Sequence, residues 1–272
     1  GCIVEELKEM ACKEAGHEET VAYLRLLGES DSEPGSEAEI KKKADSGDAV
    51  AMNSYGLILE HGDGVDVNKE EAARYYRMAV ERGNTYAMLN YGYMLLFGDG
   101  VAMNKEEAIR YIMMAIEEGN SDAMNSYGIM LERGDGVDVN KEEAARYIRM
   151  AAEKGNADAM NNYGLILEYG DGVAMNMEEA ARFYRMAAER GNSIAMNNYG
   201  CILERGDGVE MNLEEAAHYY KMAAEKGNID AMNNYGWMLE CGDGVAMNKE
   251  EASRYYKMAA EKGNIDAMLN CG

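Results

Sequence analysis

Residues 195–230 read AMNNYGCILERGDGVEMNLEEAAHYYKMAAEKGNID, and two helical patterns lie in them, each closed by glycine. Met196, Tyr199, Gly200 and Leu203 recur at three- and four-residue steps, which places them on one apolar stripe of a first helix that Gly206 ends. Gly200 has no capping role there. A glycine inside a helix costs about 1 kcal/mol against alanine, so its place in the stripe predicts a neighbouring helix that crosses closely. The turn GDGV supplies two glycines able to take positive φ. Asn212 then stands three residues before Glu215, the spacing of an N-cap with a capping-box acid. Ala216, Tyr219, Tyr220, Ala223 and Ala224 give the second helix its apolar face, Gly227 is its left-handed terminator, and Asn228 caps the helix that follows.

Outward from this stretch the same pattern returns at a constant spacing of 36, in copies beginning at Ala51, Ala87, Ala123, Ala159, Ala195 and Ala231. They fill residues 51–266, and a seventh copy is cut off over residues 267–272. The two-residue link between copies forces consecutive helices antiparallel. One hairpin cannot bury its apolar faces alone, so stacked neighbours supply the core. The bulk composition agrees: 30 glycines against one proline, with 23 methionines and 19 tyrosines, is the biased alphabet of one module copied many times.

The string A-x-x-x-Y-G-x-x-L-x-x-G-D-G-V-x-x-N-x-E-E-A-A-x-Y-x-x-M-A-A-E-x-G-N resembles the Sel1-like repeat, a relative of tetratricopeptide repeats. The resemblance covers residues 51–272, and a worn second helix over residues 36–50 precedes it, where Gly47 and Asp48 stand for the usual Gly-Asn. It implies an all-α fold, a right-handed α-solenoid superhelix of helical hairpins. It also implies a scaffold or adaptor for protein complexes, and no enzyme. Some bacterial relatives carry a disulfide that staples the two helices of each repeat; this chain departs from that pattern throughout.

The formal charge of −23, from 50 acidic and 27 basic side chains, repels phosphate backbones and anionic headgroups, so no nucleic acid is expected as a partner. Cys2, Cys12, Cys201, Cys241 and Cys271 form no CxxC pair and keep no fixed register, which reads as free thiols. With no apolar run of spanning length, no leader pattern and no membrane insertion, a reducing cytoplasm is expected. Residues 1–35 are read as an N-terminal helical segment and acidic linker. Val4, Leu7, Met10 and Ala11 share one face of that segment, Val21, Leu24 and Leu27 another, and GESDSEPGS over 28–36 is the linker. This segment is expected to cap the first copy, and the cut at Gly272 leads to the expectation of a longer protein.

Three catalytic-looking features fail on spacing. GDGVDVNKEE crowds Asp63, Asp66, Asn68, Glu70 and Glu71, but a valine occupies the ligand position two after Asp63, so it is no calcium loop. Gly-x-Gly follows a helix and lacks Gly-Lys-Ser/Thr, so it cradles no phosphate. His17, His61 and His218 stand with no serine, cysteine or paired acid. No catalytic residue, metal ligand or cofactor is expected.

The copies differ mainly on one face of the first helix, at positions following Asn53, Leu57, Glu60 and His61. By resemblance to tetratricopeptide arrays this face lines a concave groove that holds a protein or peptide. The groove residues are Asn53 and Leu57; Leu89, Tyr93, Leu96 and Phe97; Asn125, Ile129 and Arg133; Asn161, Leu165 and Tyr169; Asn197 and Arg205; Asn233 and Trp237. The asparagines are expected to hold peptide backbone, since an amide donates and accepts at once. The second copy, apolar at Leu89, Tyr93, Leu96 and Phe97, is expected to expose these side chains as the partner anchor. That patch and the open C-terminal end are the candidate surfaces for self-association. The alternatives are an enzyme or small-molecule binder, and a regulatory or localisation segment of a larger protein.

Overall fold

A computed structural model describes residues 37–270. The segment read as N-terminal helix, the whole linker over 28–36 and the last two residues lie outside the described residues. Among these every regular element is a helix. α1 (Glu37–Asp45) precedes six hairpins: α2 (Ala49–His61) with α3 (Lys69–Val80), α4 (Thr85–Phe97) with α5 (Lys105–Glu117), and α6 (Ser121–Arg133) with α7 (Lys141–Glu153). Then follow α8 (Ala157–Tyr169) with α9 (Met177–Glu189), α10 (Ser193–Arg205) with α11 (Leu213–Glu225), and α12 (Ile229–Cys241) with α13 (Lys249–Glu261). The six-residue α14 (Ile265–Asn270) opens the seventh copy. The chain divides between Val139 and Asn140 into an N-terminal unit holding α1–α6 and a C-terminal unit holding α7–α14, and consecutive helices are packed within each.

Each helix starts and stops where its sequence dictates. The N-cap side chains Asn84, Asn120, Asn192 and Asn228 accept from the backbone N–H three residues on, and Asp48 does the same at the worn first copy, on Ala51. The amide of the same asparagine also binds the preceding hairpin: Asn192 Nδ2 donates to Asp158 at 2.6 Å and Asn120 Nδ2 to Thr85 Oγ1 at 3.1 Å. First helices end in left-handed glycines such as Gly206, φ 75°. The second turn glycine has a further duty. A Cβ on Gly244 would strike the Leu213 carbonyl at the start of the preceding hairpin's second helix, so the turn sits there only because it is bare.

One expectation is corrected at the second-helix caps. The acid at the third helical position does not reach back to the cap's N–H. That N–H already donates to the preceding helix, as Asn212 does to the Leu203 carbonyl at 2.9 Å. The carboxylate instead accepts from the cap's own amide, Asn212 Nδ2 to Glu215 Oε2 at 3.0 Å, while Glu215 N–H donates to Asn212 Oδ1.

The helical glycine does mark a close crossing, and the neighbour is the second helix of its own hairpin. A Cβ on Gly164 would lie 2.6 Å from Tyr184 Cε1, and one on Gly200 2.8 Å from Tyr220 Cε1. Beside this contact, aromatic rings from both helices meet edge to face, as in Tyr199–Tyr219 with centroids 4.9 Å apart.

Candidate functional site

The first-helix face is built on two internal devices that the sequence pattern conceals. The first is a phenol–carboxylate pair within a hairpin. Tyr184 Oη donates to Glu168 at 2.7 Å and Tyr220 Oη to Glu204 at 2.6 Å, and Tyr76–Glu60 and Tyr256–Glu240 repeat the pattern. Burial, then the neighbouring carboxylate, holds the Tyr184 phenol far above its ordinary range. At Tyr220 burial leads, with Cys201 and Glu204 behind it.

The second device is an asparagine ladder between hairpins. Asn198 Nδ2 donates to Asn161 Oδ1 and Asn234 Nδ2 to Asn197 Oδ1, each at 3.0 Å, and Asn270 to Asn233 at 3.2 Å. In the N-terminal unit Asn90 donates to Asn53 at 3.0 Å. The oxygens of Asn53, Asn161, Asn197 and Asn233, expected to accept from a peptide backbone, are therefore already engaged by the next hairpin.

The second copy replaces both devices together. Ile112 takes the tyrosine's place against Gly92, with Cγ1 2.9 Å from where a Cβ would stand, and Leu96 takes the glutamate's place. Leu89 replaces the ladder acceptor, and Ser126, in the donor register, replaces the amide. The coupling is not strict, since the third copy keeps an exposed Glu132 beside Ile148 in sequence register. The expected open apolar patch is accordingly closed. Leu89, Tyr93 and Leu96 are buried, Leu96 lies against the Gly136 turn, and half-buried Phe97 stacks on Tyr93 with centroids 6.2 Å apart. Asn53 and Leu57 are buried as well.

The remaining predicted residues are more open. Asn125 and Ile129 are half-buried and Arg133 is exposed. In the C-terminal unit Asn161 is buried, whereas Leu165, Asn197 and Asn233 are half-buried. Arg205 is exposed but held, its guanidinium 2.7 Å from Asp207 and 3.3 Å from Glu168. Tyr169 is 71% and Trp237 43% exposed, the largest open rings on this face. Sequence reading overlooked the second asparagine of each pair and the tyrosine sixteen residues after the glutamate. The signal that marks both is the paired change between copies, Leu89 with Ser126 and Leu96 with Ile112.

Cys201 and Cys241 are free thiols, and burial pushes Cys201 up, toward the protonated and poorly nucleophilic form. Among the described residues no group of three His, Cys, Asp or Glu stands together as a metal site, and no helix is long and apolar enough to cross a membrane.

Stacked helical hairpins with these caps, turn glycines and inter-hairpin amides define an α-solenoid repeat protein. The Sel1 repeat pattern matches residues 49–84, 85–120, 121–156, 157–192, 193–228 and 229–264, so the chain belongs to the Sel1 repeat family, whose repeats generally mediate protein–protein interaction. No curated protein matches it. Among solved structures it is similar to c5321, a protective antigen of uropathogenic Escherichia coli with the same fold, at 30% identity and TM-score 0.71. That match covers 94% of this chain and 56% of the antigen, so this chain spans little more than half of its relative. A Sel1 repeat protein from Oxalobacter formigenes is 29% identical with TM-score 0.75, over 86% of this chain and 68% of that one. The immunity protein PA5088 from Pseudomonas aeruginosa, 20% identical over 78% of this chain and 80% of its own with TM-score 0.55, shares the fold.

Proposed function

We propose that this chain is a cytoplasmic scaffold that holds a protein or peptide against its first-helix face. The observation that carries the reading is the exposure of Tyr169 and Trp237. Each lies at a position of this face where the copies diverge, Tyr169 in the register of His61 and Trp237 in that of Leu57, and open aromatic rings are the side chains that anchor interfaces. Around them the asparagine ladder and the tyrosine–glutamate pairs fix the backbone, so the face is preorganised and loses little entropy on binding. The charge of −23 favours a partner of basic or neutral surface.

Trp237 is the chain's one tryptophan and so reports on its own site. A protein retained from native lysate is purified and titrated against the chain while Trp237 emission is followed, with Trp237→Phe as the blank. The reading expects a saturable blue shift that the blank lacks. Saturable binding seen by calorimetry with unchanged Trp237 emission places the partner elsewhere and defeats the proposal.

A further inference from the structure

In the C-terminal unit a cation meets the turn aspartate of the fourth and fifth repeats but not that of the sixth. Lys141 Nζ, at the start of the preceding second helix, reaches Asp171 at 2.8 Å. At Asp207 that lysine register holds Met177, and Arg205 supplies the cation instead, its Nε 2.7 Å from the carboxylate. The same guanidinium crosses to the neighbouring first helix, where Nη2 lies 3.3 Å from Glu168 Oε1. Glu168 thus divides its oxygens, Oε2 to the Tyr184 phenol and Oε1 to Arg205. In the sixth repeat both cations are replaced. Leu213 stands in the lysine register of Asp243, and exposed Cys241 stands in the arginine register, at the same 37-residue separation from Glu204 that Arg205 keeps from Glu168. Glu204 repeats the first half of the pattern, with Oε2 accepting from Tyr220, but Cys241 brings no charge for the second half. Desolvation, then the negative charge of Asp243 and Glu240, pushes the Cys241 thiol up, so carboxylates act on this spot. The side chain one turn before the guanidinium also changes. On α10 it is Cys201, whose thiol burial pushes up while Tyr220 and Arg205 pull it down, so the Arg205 charge reaches it. On α12 the equivalent side chain is the open Trp237 ring.

We propose that Glu204, Asp243 and Trp237 form a site for one arginine side chain of a protein partner, whose guanidinium takes the place that Arg205 fills one repeat earlier. Charge sets the sign of the ligand, since two carboxylates that share a cation in the preceding repeat lack it here, in a chain of net charge −23. Geometry selects arginine over lysine. Arg205 joins its two carboxylates through two different nitrogens, Nε and Nη2, which the planar fork of a guanidinium allows and the single nitrogen of an ammonium does not. The third wall agrees. Trp237 and Cys241 are four residues apart on one helix and so are surface neighbours, and an indole face is the best stacking partner for a guanidinium. This inference rests on reading the first-helix face as the binding face, and it gives the partner a chemistry: an arginine-bearing segment laid across α10 and α12.

The test titrates the full chain with a blocked tripeptide, acetyl-Gly-Arg-Gly-amide, and with its lysine and citrulline analogues, read by Trp237 emission and by calorimetry. The proposal expects a saturable response to the arginine peptide, at least about tenfold weaker for either analogue. Cys241→Arg, at an exposed position, supplies the guanidinium from within and is expected to abolish the response, whereas Cys241→Ser keeps it. No saturable response to the arginine peptide, equal binding of the three peptides, or undiminished binding to Cys241→Arg overturns the proposal. So does Trp237 emission that shifts when the chain alone is diluted, which assigns the site to a second copy. Failure of the arginine peptide while a captured partner still shifts Trp237 emission removes the arginine site and leaves the scaffold reading standing. Unchanged Trp237 emission in the partner titration defeats the scaffold reading and leaves the arginine site to the peptide result.

Discussion

In the fifth repeat Gly200 receives the ring of Tyr220, whose hydroxyl finds Glu204, and Asn197 takes an amide from Asn234. In the second repeat Gly92 receives Ile112, the acid is Leu96, and the amide acceptor is Leu89. The helices cross in the same way, but one seam is closed by satisfied polar groups and the other by apolar contact. Both are consistent solutions, because a buried hydroxyl or amide costs little when its partner is present and much when only one of the two is kept. Divergence among copies on this face thus has two sources. Some positions change in pairs to keep a seam closed, and others, at Tyr169 and Trp237, change alone and stay open.

The sharpest way to break the comparison is at the shared crossing. Gly164→Val places a branched side chain where Tyr184 Cε1 lies 2.6 Å from the first added carbon, next to the Tyr184–Glu168 bond. We expect a loss of about 3 kcal/mol, seen as a lower urea midpoint. A midpoint within about 0.5 kcal/mol of the parent would show that the ring moves aside freely.

A smaller effect tests the pairing itself. Glu204→Leu and Tyr220→Ile import the second repeat's seam into the fifth. Each alone is expected to cost about 1–2 kcal/mol, the double less than their sum, with a coupling of about 1 kcal/mol by double-mutant cycle. Strict additivity would mean that the two positions changed independently.

The smallest effect is confined to alkaline pH. Buried phenols at Tyr184 and Tyr220 sit well above their ordinary value, so the neutral form is favoured in the fold. Their contribution is complete below about pH 10, where the unfolded phenol titrates, and is lost as pH rises beyond it. Tyrosinate absorbance of the native chain should show a delayed fraction that titrates only with unfolding, and this fraction should shrink in Tyr220→Ile. Titration of every tyrosine near pH 10 in the folded chain would contradict the burial of these rings.

Much of this was legible in the sequence, for reasons that are local. Asn228 before Ile229, Gly206 after Arg205 and the three- and four-residue spacing of Met196, Tyr199 and Leu203 each fix a cap, a stop or a face by short-range chemistry. Gly200 announced a close crossing, though not that a tyrosine ring would fill it. The face itself was harder to read, because exposure depends on what stands opposite. Tyr93 and Trp237 share a register, yet Tyr93 is buried and Trp237 is open. The asparagines looked free for a ligand because their partners stand 37 residues away, a separation at which no local rule operates.

The direct test sets the two regions side by side against one captured partner. Tyr169→Ala with Trp237→Ala is expected to weaken affinity by about thirtyfold or more, some 2 kcal/mol, while the melting temperature stays within about 2 °C of the parent. Tyr93→Ala with Phe97→Ala is expected to do the reverse, lowering the melting temperature through lost burial with affinity held within about threefold. Affinity lost in the Tyr93 pair and retained in the Trp237 pair would contradict the account, and would return the partner anchor to the second repeat.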